Sequence, residues 1–228
     1  MQEHFNEELE KLNTNLLKMA SLVDDQVNRT FEALNSNNIE LCKRVKAKDL
    51  EIDAYDNLIL AQCENILALF QPVASDLRYV MSVIMINNQL ERCGDIAVNI
   101  SQRIKKTFDY INLIKESGIL DMLKKAKDMV KQSIDSFLNK DIDLAYNVMM
   151  EDNEVDKLNK QIFKMLVEKM KNQPDLIEPC SHLIVLTRHV ERLADHATNI
   201  AENLVFYVEA KIIAHKKKLG EKRWEDEL

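Results

Sequence analysis

Glycine and proline are scarce in this chain, which has three of each among 228 residues, and aromatic residues make up only 6%. A β-rich or α/β fold needs many more turn-forming residues than this. The abundant residues are instead Leu, Ala, Met, Lys and Glu, which are typical of long helices. Hydrophobic residues account for 46% of the chain, enough to form a core and to exclude intrinsic disorder. The composition therefore predicts an all-α fold.

Long hydrophobic runs are also missing. The longest stretch without a charge, residues 79–90, is well short of the ~20 residues that a membrane-spanning helix needs. The first residues lack the basic and apolar regions of a signal peptide. The four cysteines are scattered without a CxxC motif, as expected of small buried residues in a reducing compartment. We expect a cytoplasmic protein with no direct membrane insertion.

The charge balance excludes a further class. The net charge is -7, and no strong basic face is present, so nucleic acid is not an expected partner. The basic cluster Lys216–Lys218 is countered by the acidic residues that follow it, and residues 218–228 are interpreted as a charged, solvated C-terminal tail. Gly-rich phosphate loops, Ser-centred elbows and Cys–His pairs are not evident, so we do not expect an enzyme.

One string occurs twice, one hundred residues apart. Residues 91–100 read ERCGDIAVNI and residues 191–200 read ERLADHATNI, with Glu, Arg, Asp, Ala, Asn and Ile at identical spacing. Upstream, Asp49 and Asp53 correspond to Asp152 and Asp156 at an offset of 103. The chain is therefore a tandem repeat of about one hundred residues, with a three-residue deletion near the turn of the second half that contains proline.

The few breaks between helices are easy to place. Turn clusters, prolines and Gly118 predict six helices. Their approximate bounds are residues 4–34, 39–70, 75–115, 119–138, 142–171 and 181–217. Ser75 is expected to cap the third helix.

The third and sixth helices carry an apolar seam with steps of three and four residues, typical of helices packed at a shallow angle. In the first half the seam comprises Val83, Ile86, Leu90, Cys93, Ala97, Ile100 and Ile104. In the second half it comprises Leu183, Leu186, Val190, Leu193, Ala197, Ile200 and Leu204. The sequence thus predicts two three-helix bundles, residues 1–117 and residues 118–217, as a tandem repeat of six long helices.

Each half also places acidic residues four apart on one helix face. Glu91 with Asp95 recurs as Glu191 with Asp195, and the upstream pair Asp49 with Asp53 recurs as Asp152 with Asp156. A solvated polar face is the simple explanation. However, like charges at this spacing cost about 0.2–0.5 kcal/mol, and the cost recurs four times at matching positions. Such a pattern indicates a cation, and carboxylates suit Mg, Mn or Fe.

These residues resemble the PhoU family of phosphate-transport accessory regulators. The resemblance is carried by the duplicated Glu-Arg-x-Gly/Ala-Asp-x-Ala-x-Asn-Ile string, the upstream Asp-x-x-x-Asp pairs and the segment at residues 72–78, PVASDLR. It covers essentially the whole chain, up to Tyr207. The second half lacks a clear Ser-Asp-Leu-Arg, so any role of Asp76 and Arg78 would belong to one half.

The resemblance implies two three-helix bundles with pseudo-twofold symmetry and multinuclear metal clusters, often of iron, at the bundle surface. One site would comprise Asp49, Asp53, Glu91 and Asp95, and the other Asp152, Asp156, Glu191 and Asp195. Asn99 and Asn199 would be outer members. The resemblance also implies a homodimer that negatively regulates the phosphate-starvation response, with the phosphate transporter ATPase and a phosphate-sensing histidine kinase as partners.

Other functions remain open at this point. A carboxylate-bridged phosphatase or oxidase is one, although the Glu-x-x-His pairs of di-iron bundles are absent. A phosphorelay bundle using His189 or His196 is another, since His182, His189 and His196 recur at seven-residue spacing. Their spacing of ~10.5 Å along the axis is too long to share one ion, so we interpret them as a helix face. A purely structural bundle is the last.

Overall fold

The computed structural model describes residues 2–213, and these form seven α-helices with two short 3-10 turns. The helices are α1 (Gln2–Asn35), α2 (Ile39–Phe70), α3 (Ala74–Lys106), α4 (Ile111–Ser117), α5 (Ile119–Asn139), α6 (Ile142–Asn172) and α7 (Ile177–Glu209). Across the described range, no helix is both long and apolar enough to span a bilayer. The expected tail at residues 218–228 lies outside the described residues.

The all-α prediction is confirmed, but the prediction of six helices is wrong. The third helix ends at Lys106 rather than near Lys115. Thr107 follows it and is buried, and its hydroxyl donates to the backbone oxygens of Arg103 and Ile104. A Thr side chain that bonds to its own preceding turn competes with continued helix formation. The chain then makes a 3-10 turn, and the short α4 joins the two halves.

Two other helix ends differ from the prediction. Ser75 does not cap α3, because Val73 occupies the N-cap position without a side-chain bond. The last long helix begins at Ile177, four residues earlier than expected, with Pro179 inside its first turn. Proline is tolerated there because the missing N–H would have no partner in the helix. Gly118 does separate α4 from α5, and its φ of +79° is a conformation that glycine adopts at little cost.

The apolar seams predicted for the third and sixth helices are confirmed. All seven residues of each seam are buried, and the stripe of Val45, Ile52 and Ile59 on α2 is buried against them. The four cysteines are free and buried. Burial raises the pKa of Cys93 to about 12, so its thiol stays neutral at pH 7 and packs as a small core residue.

The two halves pack side by side through α3 and α7. These helices run antiparallel, because Gln89 pairs with His196 near their middle while Arg103 pairs with His182 towards one end. A second contact joins α1 to α5, where the Lys127 ammonium donates to Asn28 at 3.4 Å. Burial raises the pKa of Asp24, and the nearby charge of Lys131 lowers it, so these two residues also lie close together. Since Asp24 and Asn28 are the repeat equivalents of Lys127 and Lys131, the contact is reciprocal, as pseudo-twofold symmetry requires.

Candidate functional site

In the first half, the structure brings the predicted acids of α2 and α3 onto one surface. Burial raises the pKa of Asp49, and the nearby charges of Asp53 and Asp95 raise it further. Burial also raises the pKa of Glu91, with Asp95 adding to the effect. Within residues 2–213, none of these four carboxylates forms an ion pair with Lys or Arg. Among the described residues, this surface therefore concentrates negative charge, which the nearby charge of Arg92 only partly offsets at Glu91.

Gln26 of α1 supports this surface from beneath. Its Nε2 donates to the backbone oxygen of Val45 at 3.0 Å and to Oδ1 of Asp49 at 3.2 Å. Its Oε1 is buried and has no hydrogen-bond partner in the structure. The sequence analysis missed Gln26. A signal existed, because Gln26 is a polar residue on the apolar stripe of α1 that includes Met19 and Val23.

Gly94 allows α3 to approach Gln26 closely. A Cβ added at Gly94 would lie 3.1 Å from Oε1 of Gln26 and 3.1 Å from Cδ1 of Ile52. The structure shows close packing against α1 and α2.

The second half repeats the acids on different supporting residues. Asp152 and Asp156 lie on α6, and Glu191 and Asp195 lie on α7, which packs against α6. Asp152, Asp156 and Glu191 are half-buried and Asp195 is exposed.

The residues beneath this second acidic surface differ from those of the first half. The repeat equivalents of Gln26, Ile52 and Gly94 are Met129, Val155 and Ala194, all three buried.

The acids are suited to hard cations but do not form a closed cage. In the described part of the chain, no group of three or more His, Cys, Asp or Glu side chains is placed to hold a metal ion. The oxygen donors are nevertheless of the type that Mg, Mn and Fe accept. A bound cation would also relieve the repulsion that helps to raise the pKa values of Asp49 and Glu91. Binding would require the carboxylates to converge, and the metal sites stay a prediction.

The heptad of histidines faces the first half across the α3–α7 contact. Nη1 of Arg103 lies 3.2 Å from Nδ1 of His182, and Nδ1 of His196 lies 2.7 Å from Oε1 of Gln89. Burial, with Arg192 and Arg92 nearby, lowers the pKa of His196 to about 4. His196 is therefore a neutral residue that forms a hydrogen bond between the helices at pH 7.

Asn199 belongs to the same contact. Its Nδ2 donates to Oε1 of Gln89 at 3.0 Å. The expected role of Asn199 as an outer member of the acidic site is therefore not supported, because eight residues of helix rotate it away from Glu191 towards α3.

Arg78 has a structural role that explains its restriction to one half. Its Nε donates to the backbone oxygen of Tyr207 at 3.4 Å, close to the C-terminal end of α7. A cation is favourable there because the last carbonyls of a helix carry partial negative charge. The equivalent position in the second half is Glu178, which cannot make this contact.

Within residues 2–213, an all-helical tandem repeat with acids at matching positions of both halves defines a class of duplicated helical-bundle proteins. The PhoU domain family model matches residues 16–104 and again residues 119–204. The chain belongs to the PhoU family.

Known relatives are similar along nearly the whole chain. A phosphate-specific transport system accessory protein PhoU homolog of Aquifex aeolicus is 37% identical over 209 residues, covering 92% of this chain and 95% of the relative. A protein with the same description from Clostridium acetobutylicum is 31% identical over 210 residues, covering 91% of this chain and 95% of the relative. The crystal structure of PhoU from Pseudomonas aeruginosa superposes with a TM-score of 0.84 at 32% identity, covering 91% of this chain and 100% of that one.

Proposed function

We propose that this protein is a negative regulator of the phosphate-starvation response and of high-affinity phosphate uptake. It acts as a cytoplasmic, homodimeric adaptor between the ATPase of the phosphate ABC transporter and the sensor histidine kinase. The observation that carries the proposal is the match of the PhoU domain to both repeats, together with relatives described as phosphate-specific transport system accessory proteins. Long, rigid helices offer extended faces for binding partner helices.

The acidic surface of each repeat is the proposed metal site of this adaptor. Asp49, Asp53, Glu91 and Asp95 would hold metal in the first half. Asp152, Asp156, Glu191 and Asp195 would hold it in the second half. Multinuclear iron is the proposed metal because the resemblance to the PhoU family implies it. Mn and Mg are alternatives because all eight proposed ligands are carboxylates. The metal would neutralise like charges and organise a contact surface for the partner.

The test is a phosphate-starvation reporter in cells grown at high phosphate. We expect high expression in a strain that lacks the protein and low expression when the intact gene is restored. The double variant Glu91→Gln with Glu191→Gln should fail to restore repression if metal is needed. Glu64→Gln is the matched control, since Glu64 is an exposed residue of α2 outside the acidic surface.

Two outcomes would contradict the proposal. Unchanged reporter expression in the strain that lacks the protein would rule out the regulatory role. Turnover of a phosphate ester or of oxygen by the purified, metal-loaded protein would favour the alternative, a carboxylate-bridged phosphatase or oxidase. Repression by the double variant equal to that of the intact protein would remove metal from the mechanism and leave the adaptor role in place.

A further inference from the structure

A large apolar groove lies where the end of α7 passes beside α2 and α3. Its volume is about 750 Å³, and its apolar lining includes Leu60, Met81, Met85 and Phe206. Leu60 is 40% exposed and Met81 is 41% exposed, so the apolar lining is open to solvent. We call this feature the α2–α7 groove. Methionine side chains adapt to differently shaped partners and are common on surfaces that bind amphipathic helices, so Met81 and Met85 in an open groove suit a protein ligand.

The α2–α7 groove is acidic as well as apolar. Asp56 and Glu202 line it, and the lining residues that the structure describes include no Lys or Arg. Asp56 is fixed in place, because Nδ2 of Asn87 donates to its Oδ1 at 2.6 Å. Burial raises the pKa of Asp56, and the charge of Asp53, one turn before it on α2, raises this pKa further. The groove therefore continues the acidic surface of the first half.

The repeat-equivalent face of the second half has the opposite charge. Asp56 corresponds to Asn159, and Asn88 of the groove corresponds to Arg188. On the other wall, Asn203 and Phe206 correspond to Arg103 and Lys106 of α3. The same helical framework therefore presents an acidic apolar groove on one side and a basic face on the other. A partner that recognises charge would bind only one of them.

We propose that the α2–α7 groove binds a basic amphipathic helix of a partner protein. The inference rests on the adaptor function proposed above and names the chemistry of one contact. An amphipathic helix would place apolar residues at positions i, i+3 or i+4, and i+7 against Leu60, Met81 and Met85. Its Lys or Arg residues would lie towards Asp56 and the acidic surface of α2, where opposite charges give specificity and speed association.

The test uses a fluorescein-labelled helical peptide of about 18 residues, five turns of helix, built from Leu and Lys with an amphipathic pattern. A peptide with Glu in place of Lys is the control. We expect the full-length protein to bind the Leu/Lys peptide, measured by fluorescence anisotropy, and not the Leu/Glu peptide. Equal binding of both peptides, or of neither, would overturn the proposal.

Repeat symmetry supplies a matched pair of variants. Leu60→Lys places a cation in the groove, whereas Phe163→Lys makes the corresponding change at the equivalent position of α6. Both residues are exposed, at 40% and 50%, so both variants should fold, which thermal melting checks. We expect Leu60→Lys to weaken peptide binding about tenfold or more and Phe163→Lys to leave it unchanged. Equal effects of the two substitutions would overturn the proposal.

A charge variant and a size measurement complete the test. Asp56→Asn with Glu202→Gln should weaken binding of the Leu/Lys peptide and make it less sensitive to salt, because exposed charges are screened. An unchanged affinity would remove the acidic component and overturn the proposal. If Leu60→Lys instead converts a dimer to a monomer in size-exclusion chromatography, the groove is an interface between two copies of this chain, which also overturns it.

The reporter strain separates this inference from the adaptor function. Leu60→Lys should raise reporter expression at high phosphate, and Phe163→Lys should not. If removal of the whole protein raises expression but Leu60→Lys does not, the groove proposal is overturned and the adaptor stands. If removal of the protein has no effect, the adaptor function fails, whereas the peptide measurement still decides whether the groove binds a basic helix.

Discussion

The two repeats keep the same acids on differently packed cores. Beneath the first acidic surface, Gly94 meets Gln26 and the Cδ1 atom of Ile52. Beneath the second, Ala194 takes the glycine position and Val155, which has no Cδ1 atom, takes the isoleucine position. The methyl group gained on one helix is matched by the methyl group lost on its neighbour. Interiors are close-packed, so such paired changes are tolerated where single changes are not.

The acidic pattern is the same in both repeats, whereas the residues that lie beneath it differ. Met129 replaces Gln26, so the hydrogen bond from α1 to Asp49 has no equivalent in the second half. A pattern that persists over two different cores is not explained by packing alone. This supports a function for the carboxylates themselves.

The largest expected effect on stability comes from truncating buried side chains at equivalent positions of the two apolar seams. Leu90 and Val190 are both buried on the apolar seams, at 1% and 0% exposure. Leu90→Ala should lower the free energy of unfolding by about 2–5 kcal/mol. Val190→Ala should cost less, because it removes two carbon atoms rather than three. Chemical denaturation of both variants measures the two decreases in the free energy of unfolding. Equal decreases would contradict this expectation and show that the two cores relax differently around the lost side chains.

Gly94→Ala tests the packing difference between the repeats. The added methyl group gains up to about 1 kcal/mol of helix propensity but overpacks the core, which typically costs about 1–3 kcal/mol. We expect a net loss of stability that Ile52→Val restores in the double variant. A double-mutant cycle from chemical denaturation measures the coupling between the two sites. A Gly94→Ala variant more stable than the parent protein would contradict the close packing described here.

His196→Ile makes the second half resemble the first, where Ile96 occupies the equivalent position. The pKa of His196 is lowered from 6.5 to about 4, so the unfolded chain binds the proton more readily in that interval. The contribution of His196 to the free energy of unfolding is therefore fully present above pH 6.5, where the imidazole is neutral. This contribution is lost as the pH falls towards 4. The variant should show a flatter stability profile over this interval by thermal melting. An unchanged profile would mean that His196 is not the titrating group.

Gln26→Met gives the first half the residue found in the second, and its expected effect is the smallest. The hydrogen bond from Gln26 lowers the pKa of Asp49 against burial and the charges of Asp53 and Asp95. Removing it should raise the pKa of Asp49 further, which NMR titration of the carboxyl measures. A lower pKa of Asp49 in the variant would contradict the supporting role of Gln26.

The helical seams were predictable because a repeating apolar pattern determines which helix face is buried. Spacing alone predicted both seams, Val83 to Ile104 and Leu183 to Leu204, and every seam residue is buried. The end of α3 was not predictable, because Thr107 is polar in sequence and acts as a helix terminator only once it is buried. Sequence periodicity contains no information on such tertiary burial.

The candidate site was predictable only in part. The four acids of the first half were expected on one surface, and the structure brings them together. Gln26 and the α2–α7 groove were missed because both depend on helices distant in sequence. Gln26 reaches Asp49 from α1, and Glu202 of α7 lines the same groove as Asp56 of α2 only after the two halves pack. Asn199 was expected beside the acids, but its Nδ2 donates to Gln89 across the α3–α7 contact, because a spacing of eight residues drifts around the helix.

The proposed function requires that both acidic surfaces hold metal, although the residues beneath them differ. The most direct measurement is the metal content of the purified protein by elemental mass spectrometry, for the intact chain, Glu91→Gln, Glu191→Gln and the double variant. We expect each single variant to lose the metal of one repeat and the double variant to bind none. An intact protein without bound metal, or a double variant with undiminished metal, would contradict it.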